Sequence, residues 1–161
     1  MSGHSERTPG KARSFVGDTL ADWGVAEAVR ADMRLIVSEL ATNAVTYTRS
    51  PEITLGVRLT DDEAVVSVGD RGPHRQLRPQ DVAANAEHGR GLRIVAALAS
   101  RWHQRETDGG GTTVEAAIDL PSHQITALPV LNSEAALDAP RHDPDLPARP
   151  TLTPARTPEQ R

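Results

Sequence analysis

Glu39 and Asn43 stand four residues apart in the run SELATNA, a spacing that puts a carboxylate and an amide on one flank of a helix. A carboxylate so placed can take the proton of an attacking hydroxyl. An amide oxygen beside it suits Mg2+, a hard ion that prefers oxygen donors. The same two residues are also ordinary polar residues at a helix boundary. Asp70-Arg71-Gly72-Pro73 comes next, at the end of an alternating run. Aspartate at a strand end can accept a hydrogen bond from an exocyclic amine, and Gly72 lets a ring approach the backbone. Asp, Gly and Pro are equally the residues of a type I or II turn. Gly89-Arg90-Gly91-Leu92 precedes a helical pattern. Glycines there free backbone N–H groups to face phosphate oxygens, and the helix dipole, Arg90 and Arg93 add positive potential. A glycine pair before a helix is common in its own right. Last, Gly109-Gly110-Gly111 reads as a hairpin turn, and Thr112 and Thr113 put hydroxyls at the start of the strand that follows.

These motifs need elements to hold them. Ala12 to Trp23 reads as a first helix, with Phe15, Val16, Leu20 and Trp23 at helical spacing and Gly24 as its stop. A second helix runs from about Val25 to Tyr47 on the stripe Val29, Met33, Ile36, Leu40, Ala44 and Tyr47. The period then falls to two in Ile53, Leu55, Val57 and Leu59. After a turn at Asp61-Asp62 a second strand covers Ala64 to Gly69. From Asp70 to Gly91 the chain has no apolar period, and a loop of about twenty residues in a compact domain usually serves a function. A third helix is expected over Leu92–Arg101. A hairpin closes the pattern, with one strand near Trp102–Thr107 and another carrying Val114, Ala116, Ile118 and Leu120. The order ααββαββ implies an α+β fold, a two-layer sandwich with helices on one face of a mostly antiparallel sheet.

The ends read differently. Residues 1–11 are expected to be a flexible N-terminus and 12–120 the domain. Residues 121–161 read as a Pro-rich disordered tail, since most of the chain's 12 prolines stand at or after Pro121. Within that tail Asn132–Ala139 could form a helical turn or two. The 161 residues carry 2% aromatics, so the core must come from Val, Leu, Ile and Ala. A formal charge of −4 gives no broad attraction to nucleic acid or to an anionic membrane. Absent cysteine excludes disulfides and thiolate chemistry. The polar start, Met1–Gly10, has no apolar core of a signal peptide, and no run reaches the roughly 18 apolar residues of a membrane helix. A cytoplasmic protein is the expectation.

In this order, on these elements, the four motifs resemble the asparagine box and the three glycine boxes of the gyrase, chaperone and histidine-kinase (GHKL) ATPases, whose ATP lies between the sheet and a lid. The resemblance covers about Ala12 to Leu120 and implies a Bergerat-type ATP-binding fold. It implies that Glu39 activates the nucleophile, that Asn43 holds Mg2+, and that Asp70 takes the adenine amine with Gly72 beside it. Gly89, Arg90, Gly91 and Leu92 would line the phosphates, and Thr112 or Thr113 would contact the base. VSELATNAV, GRGL and GTTV look most like the anti-sigma-factor serine kinases of actinobacterial type. Three features depart from that pattern. His74 stands where many members have a second glycine, Thr112 where lysine is frequent, and no first strand is evident in Met1–Thr8. The resemblance implies Mg2+-ATP-dependent phosphorylation of a serine or threonine of a small antagonist protein, the basic loop residues Arg71, Arg75, Arg78 and Arg90 assisting. The alternative is a non-catalytic module that sequesters a sigma factor or another regulator. Family analogy also implies a homodimer.

Overall fold

The computed structural model describes residues 7–48, 50, 52–72, 90–107, 109–121 and 130–138. The first helix, α1, spans Arg7–Asp22 and buries Ala12, Val16 and Leu20, one residue per turn. It starts at least five residues before Ala12, so Arg7–Lys11 are helical rather than a flexible lead. Pro9 allows this because the first turn needs no N–H from it, and both Thr8 and Pro9 are buried. Gly24, at φ +74°, ends the helix as expected. Its N–H donates to Ala21 O while the N–H of Val25 donates to Leu20 O, the two bonds of a Schellman motif.

Helix α2 spans Glu27–Thr48 and buries Met33, Ile36, Leu40 and Ala44 of the expected stripe, with Val37 and Ala41 beside them. Strands β1 (Glu52–Leu59) and β2 (Glu63–Asp70) follow. Helix α3 covers Arg90–Leu98. It stops short of the expected Arg101, because the N–H of Ser100 turns to Ala117 O and the chain enters the sheet. Strands β3 (Arg101–Glu106) and β4 (Thr112–Asp119) form the expected hairpin.

The sheet has five antiparallel strands in the order β3-β4-β2-β1-β5. The fifth, β5 (Leu131–Asp138), lies in the stretch read from sequence as a disordered tail with a helical turn. It is extended because β1 offers a full free edge, against which all eight of its residues pair, from Leu131↔Leu59 to Asp138↔Glu52. Asn, Glu, Ala and Asp are poor strand formers, so composition pointed away from a strand that tertiary pairing creates. Thr8 Oγ1 donates to Asp138 O at 3.0 Å and ties the start of α1 to the end of β5.

The helices cover one face of the sheet. There Ile53, Leu55, Val57 and Leu59 of β1 meet Val66 and Val68 of β2, Val114 and Ala116 of β4, and the buried stripe of α2. The other face carries ion pairs that cross the strands, among them Arg58–Glu63 at 3.6 Å and Arg105–Glu115 at 3.7 Å. This is the α+β arrangement expected from the element order.

Candidate functional site

Most of the described residues expected at the site gather where α2, the ends of β2 and β4, and the start of α3 meet. On the inner face of the sheet, Asp70 is paired directly with Thr112, and Val68 with Val114. Opposite them α2 presents Leu40, Asn43 and Ala44. Together these seven residues line a pocket that encloses about 30 Å3, with Tyr47 and Thr48 at the end of α2 completing it. The walls are mostly apolar, and the polar groups are the Asn43 amide, the Asp70 carboxylate and the hydroxyls of Tyr47, Thr48 and Thr112. Tyr47 is 37% exposed. From sequence it reads as one more member of the apolar stripe. It lies at the pocket because α2 runs on to Thr48, past the edge of the core. Its being the lone aromatic at the end of that stripe was the available signal.

Asp70 is held by its own neighbour, since the N–H of Gly72 donates to Asp70 Oδ1 at 2.8 Å. Gly72 is buried, but not to admit a ring. A β-carbon there would stand 2.5 Å from Thr48 O, so the space beside it is filled by the end of α2. The turn and the helix end are packed on each other.

Glu39 and Asn43 share a flank of α2 as their spacing demands. Asn43 faces the pocket, while the Glu39 carboxylate reaches the first turn of α3. A β-carbon on Gly91 would come within 2.6 Å of Glu39 Oε2. Glycine at 91 is therefore what allows carboxylate and helix start to approach. Leu92 points away, with its side chain 8% exposed in the core, so that only its backbone could meet an anion. Arg90 and Arg93 are exposed on the same turn.

The two threonines part company. Thr112 is 4% exposed and lines the pocket. Thr113, one residue on, points to the opposite face of the sheet, where its Oγ1 lies beside Gly69. Of the two expected base contacts, the fold brings only Thr112 to the site. Arg71 is 80% exposed and lies 3.9 Å from Glu52. Gly89, His74, Arg75 and Arg78 fall outside the described residues.

The donor set fits an adenine nucleotide. Apolar walls suit the faces of a purine, Asp70 is an acceptor for an exocyclic amine, and α3 begins next to Glu39 and Asn43 with two arginines on its first turn. Among the described residues no group of three His, Cys, Asp or Glu could hold a metal. No helix among the described residues is long and apolar enough to cross a membrane.

No curated protein matches the chain. Residues 4–118 match the family described as Histidine kinase-like ATPase domain. That span takes in all four motifs, from α1 to β4, and stops before β5. The chain therefore belongs to the histidine kinase-like ATPase family, which implies that it binds ATP.

Proposed function

We propose that this chain is an ATP-dependent serine/threonine protein kinase of the anti-sigma-factor type, acting on a small antagonist protein. One observation carries the reading: Glu39 lies against the start of α3 while Asn43, one helical turn on, lines the pocket that holds Asp70 and Thr112. Asp70 and Thr112 would take the base, and Asn43 would hold Mg2+. Arg90 and the first N–H groups of α3 would face the phosphates. Glu39 would take the proton from the serine or threonine hydroxyl of the partner. Phosphoryl transfer asks for positioning and charge stabilisation, which these residues can supply.

A second reading is a binding module that sequesters a sigma factor or another regulator, with ATP as a structural ligand or none at all. His74 and Thr112, which stand where a second glycine and a lysine are frequent in the family, favour it.

Isothermal titration of the full chain with ATP, with and without Mg2+, tests the shared premise. Binding that tightens with Mg2+ supports a live site. No binding at millimolar ATP would leave only the nucleotide-free module.

A further inference from the structure

Ser50 is 2% exposed, in the short connection between α2 and β1. Its hydroxyl joins three segments. It accepts the N–H of Arg71 at 3.1 Å and donates to the carbonyl of Glu52 at 2.6 Å. Its own N–H donates to Thr48 Oγ1 at 3.3 Å, and Thr48 O–H donates to Ala44 O at 2.6 Å. The chain of bonds thus runs from the last turn of α2 through Ser50 to the peptide that follows Asp70. Gly72, packed on Thr48, closes the loop by donating its N–H to Asp70 Oδ1.

We infer that Ser50 is a positioning residue for base recognition: by anchoring the Asp70–Gly72 turn to the end of α2 it aims the Asp70 carboxylate at the exocyclic amine of a 6-aminopurine. The inference rests on the reading of Asp70 as the base acceptor. The physical ground is that a turn carrying one side-chain bond to its own backbone still rotates as a unit. The buried Ser50 hydroxyl, by accepting the N–H of Arg71, removes that freedom, and losing it takes away the bond that ties the turn to the neighbouring segment. Aim matters because a hydrogen bond weakens steeply as its angle closes. A 6-oxopurine offers a carbonyl at the same position, so a well-aimed carboxylate rejects it, and a loosely held one discriminates less.

The test is titration of the full chain and of Ser50→Ala, Asp70→Asn and the double variant with ATP, with inosine triphosphate and with inorganic tripolyphosphate, all with Mg2+. Ser50→Ala is expected to weaken ATP about threefold to tenfold, to leave tripolyphosphate within twofold, and to shrink the ATP-to-inosine-triphosphate ratio. In the double variant the loss should equal that of Asp70→Asn alone, since contacting residues that act as a unit do not add. The ratio compares two ligands on the same folded fraction, so partial unfolding does not move it. Should Ser50→Ala not fold, Ser50→Cys, which keeps the volume and weakens both bonds, should shift the ratio the same way by less. Additive losses, an equal loss for tripolyphosphate, or an unchanged ratio beside an active Asp70→Asn effect would overturn the role of Ser50 alone. An Asp70→Asn variant that binds ATP like the parent overturns the base reading and this inference with it.

Discussion

Gly111 lies so close to Asp70 that a β-carbon on it would collide with the Asp70 carbonyl oxygen and stand 3.0 Å from Arg71 Cα. The turn before β4 and the turn after β2 are thereby packed backbone to backbone. Gly91 instead meets the side chain of Glu39, at its carboxylate end. The glycine-rich motifs, spread over forty or so residues of sequence, are held together by contacts with one another as well as by anything they bind.

Gly111→Ala should therefore damage the domain, while Gly109→Ala in the same turn should not. A β-carbon on Gly109 meets nothing within 4 Å. The first change forces backbone apart and is expected to cost about 1–3 kcal/mol; the second should stay within about 0.5 kcal/mol of the parent. Urea unfolding of the two variants measures both, and equal stability would show that the turn yields freely.

Thr112 and Thr113 give a matched pair of controls. Valine keeps the shape of threonine and removes its hydroxyl. Thr112→Val should weaken ATP by about threefold to tenfold through a lost hydrogen bond. Thr113→Val, altered on the far face of the sheet, should bind ATP within about twofold of the parent. Calorimetry reads both, and a larger loss at Thr113 would reverse the assignment.

β5 lies outside the residues that match the family, 4–118, yet pairs along the whole of β1. Ending the chain at Val130 removes the strand and ending it at Asp138 keeps it. The two truncations should differ by several degrees in melting temperature, because Leu131 and Leu137 pack against the core and β1 loses a ladder. Identical melting curves would mean that β5 contributes nothing to stability.

Much of this was legible in the sequence, for a physical reason. Met33, Ile36, Leu40 and Ala44 step at the helical period, and Ile53 to Leu59 alternate, so amphipathic elements announced themselves and carried Glu39, Asn43 and Asp70 with them. β5 did not, because Leu131 and Leu137 alternate with residues that prefer other states, and only the free edge of β1 makes them a strand. The split between Thr112 and Thr113 was open to the same period, since Val114, Ala116 and Ile118 alternate and put Thr112 on their face and Thr113 on the other. Gly72 was legible as a glycine but not for its cause, which is the end of α2 beside it. Tyr47 looked like the last member of an apolar stripe, and Ser50 carried no signal of its own, because its partner Arg71 stands far along the chain.

On the proposed reading Glu39 performs the chemistry while Asn43 holds the metal. The measurement is the phosphotransfer rate to a cognate partner, or slow ATP hydrolysis, for parent, Glu39→Ala and Asn43→Ala, alongside their ATP affinity with and without Mg2+. Removing a general base should slow turnover about 100-fold or more, with ATP affinity changed less than about tenfold. Asn43→Ala should instead lose the part of ATP binding that depends on Mg2+. A misfolded variant would lose turnover and binding together, so the split is diagnostic. A Glu39→Ala chain that turns over at the parent rate, or a parent that binds ATP yet transfers nothing to its partner, would contradict the account.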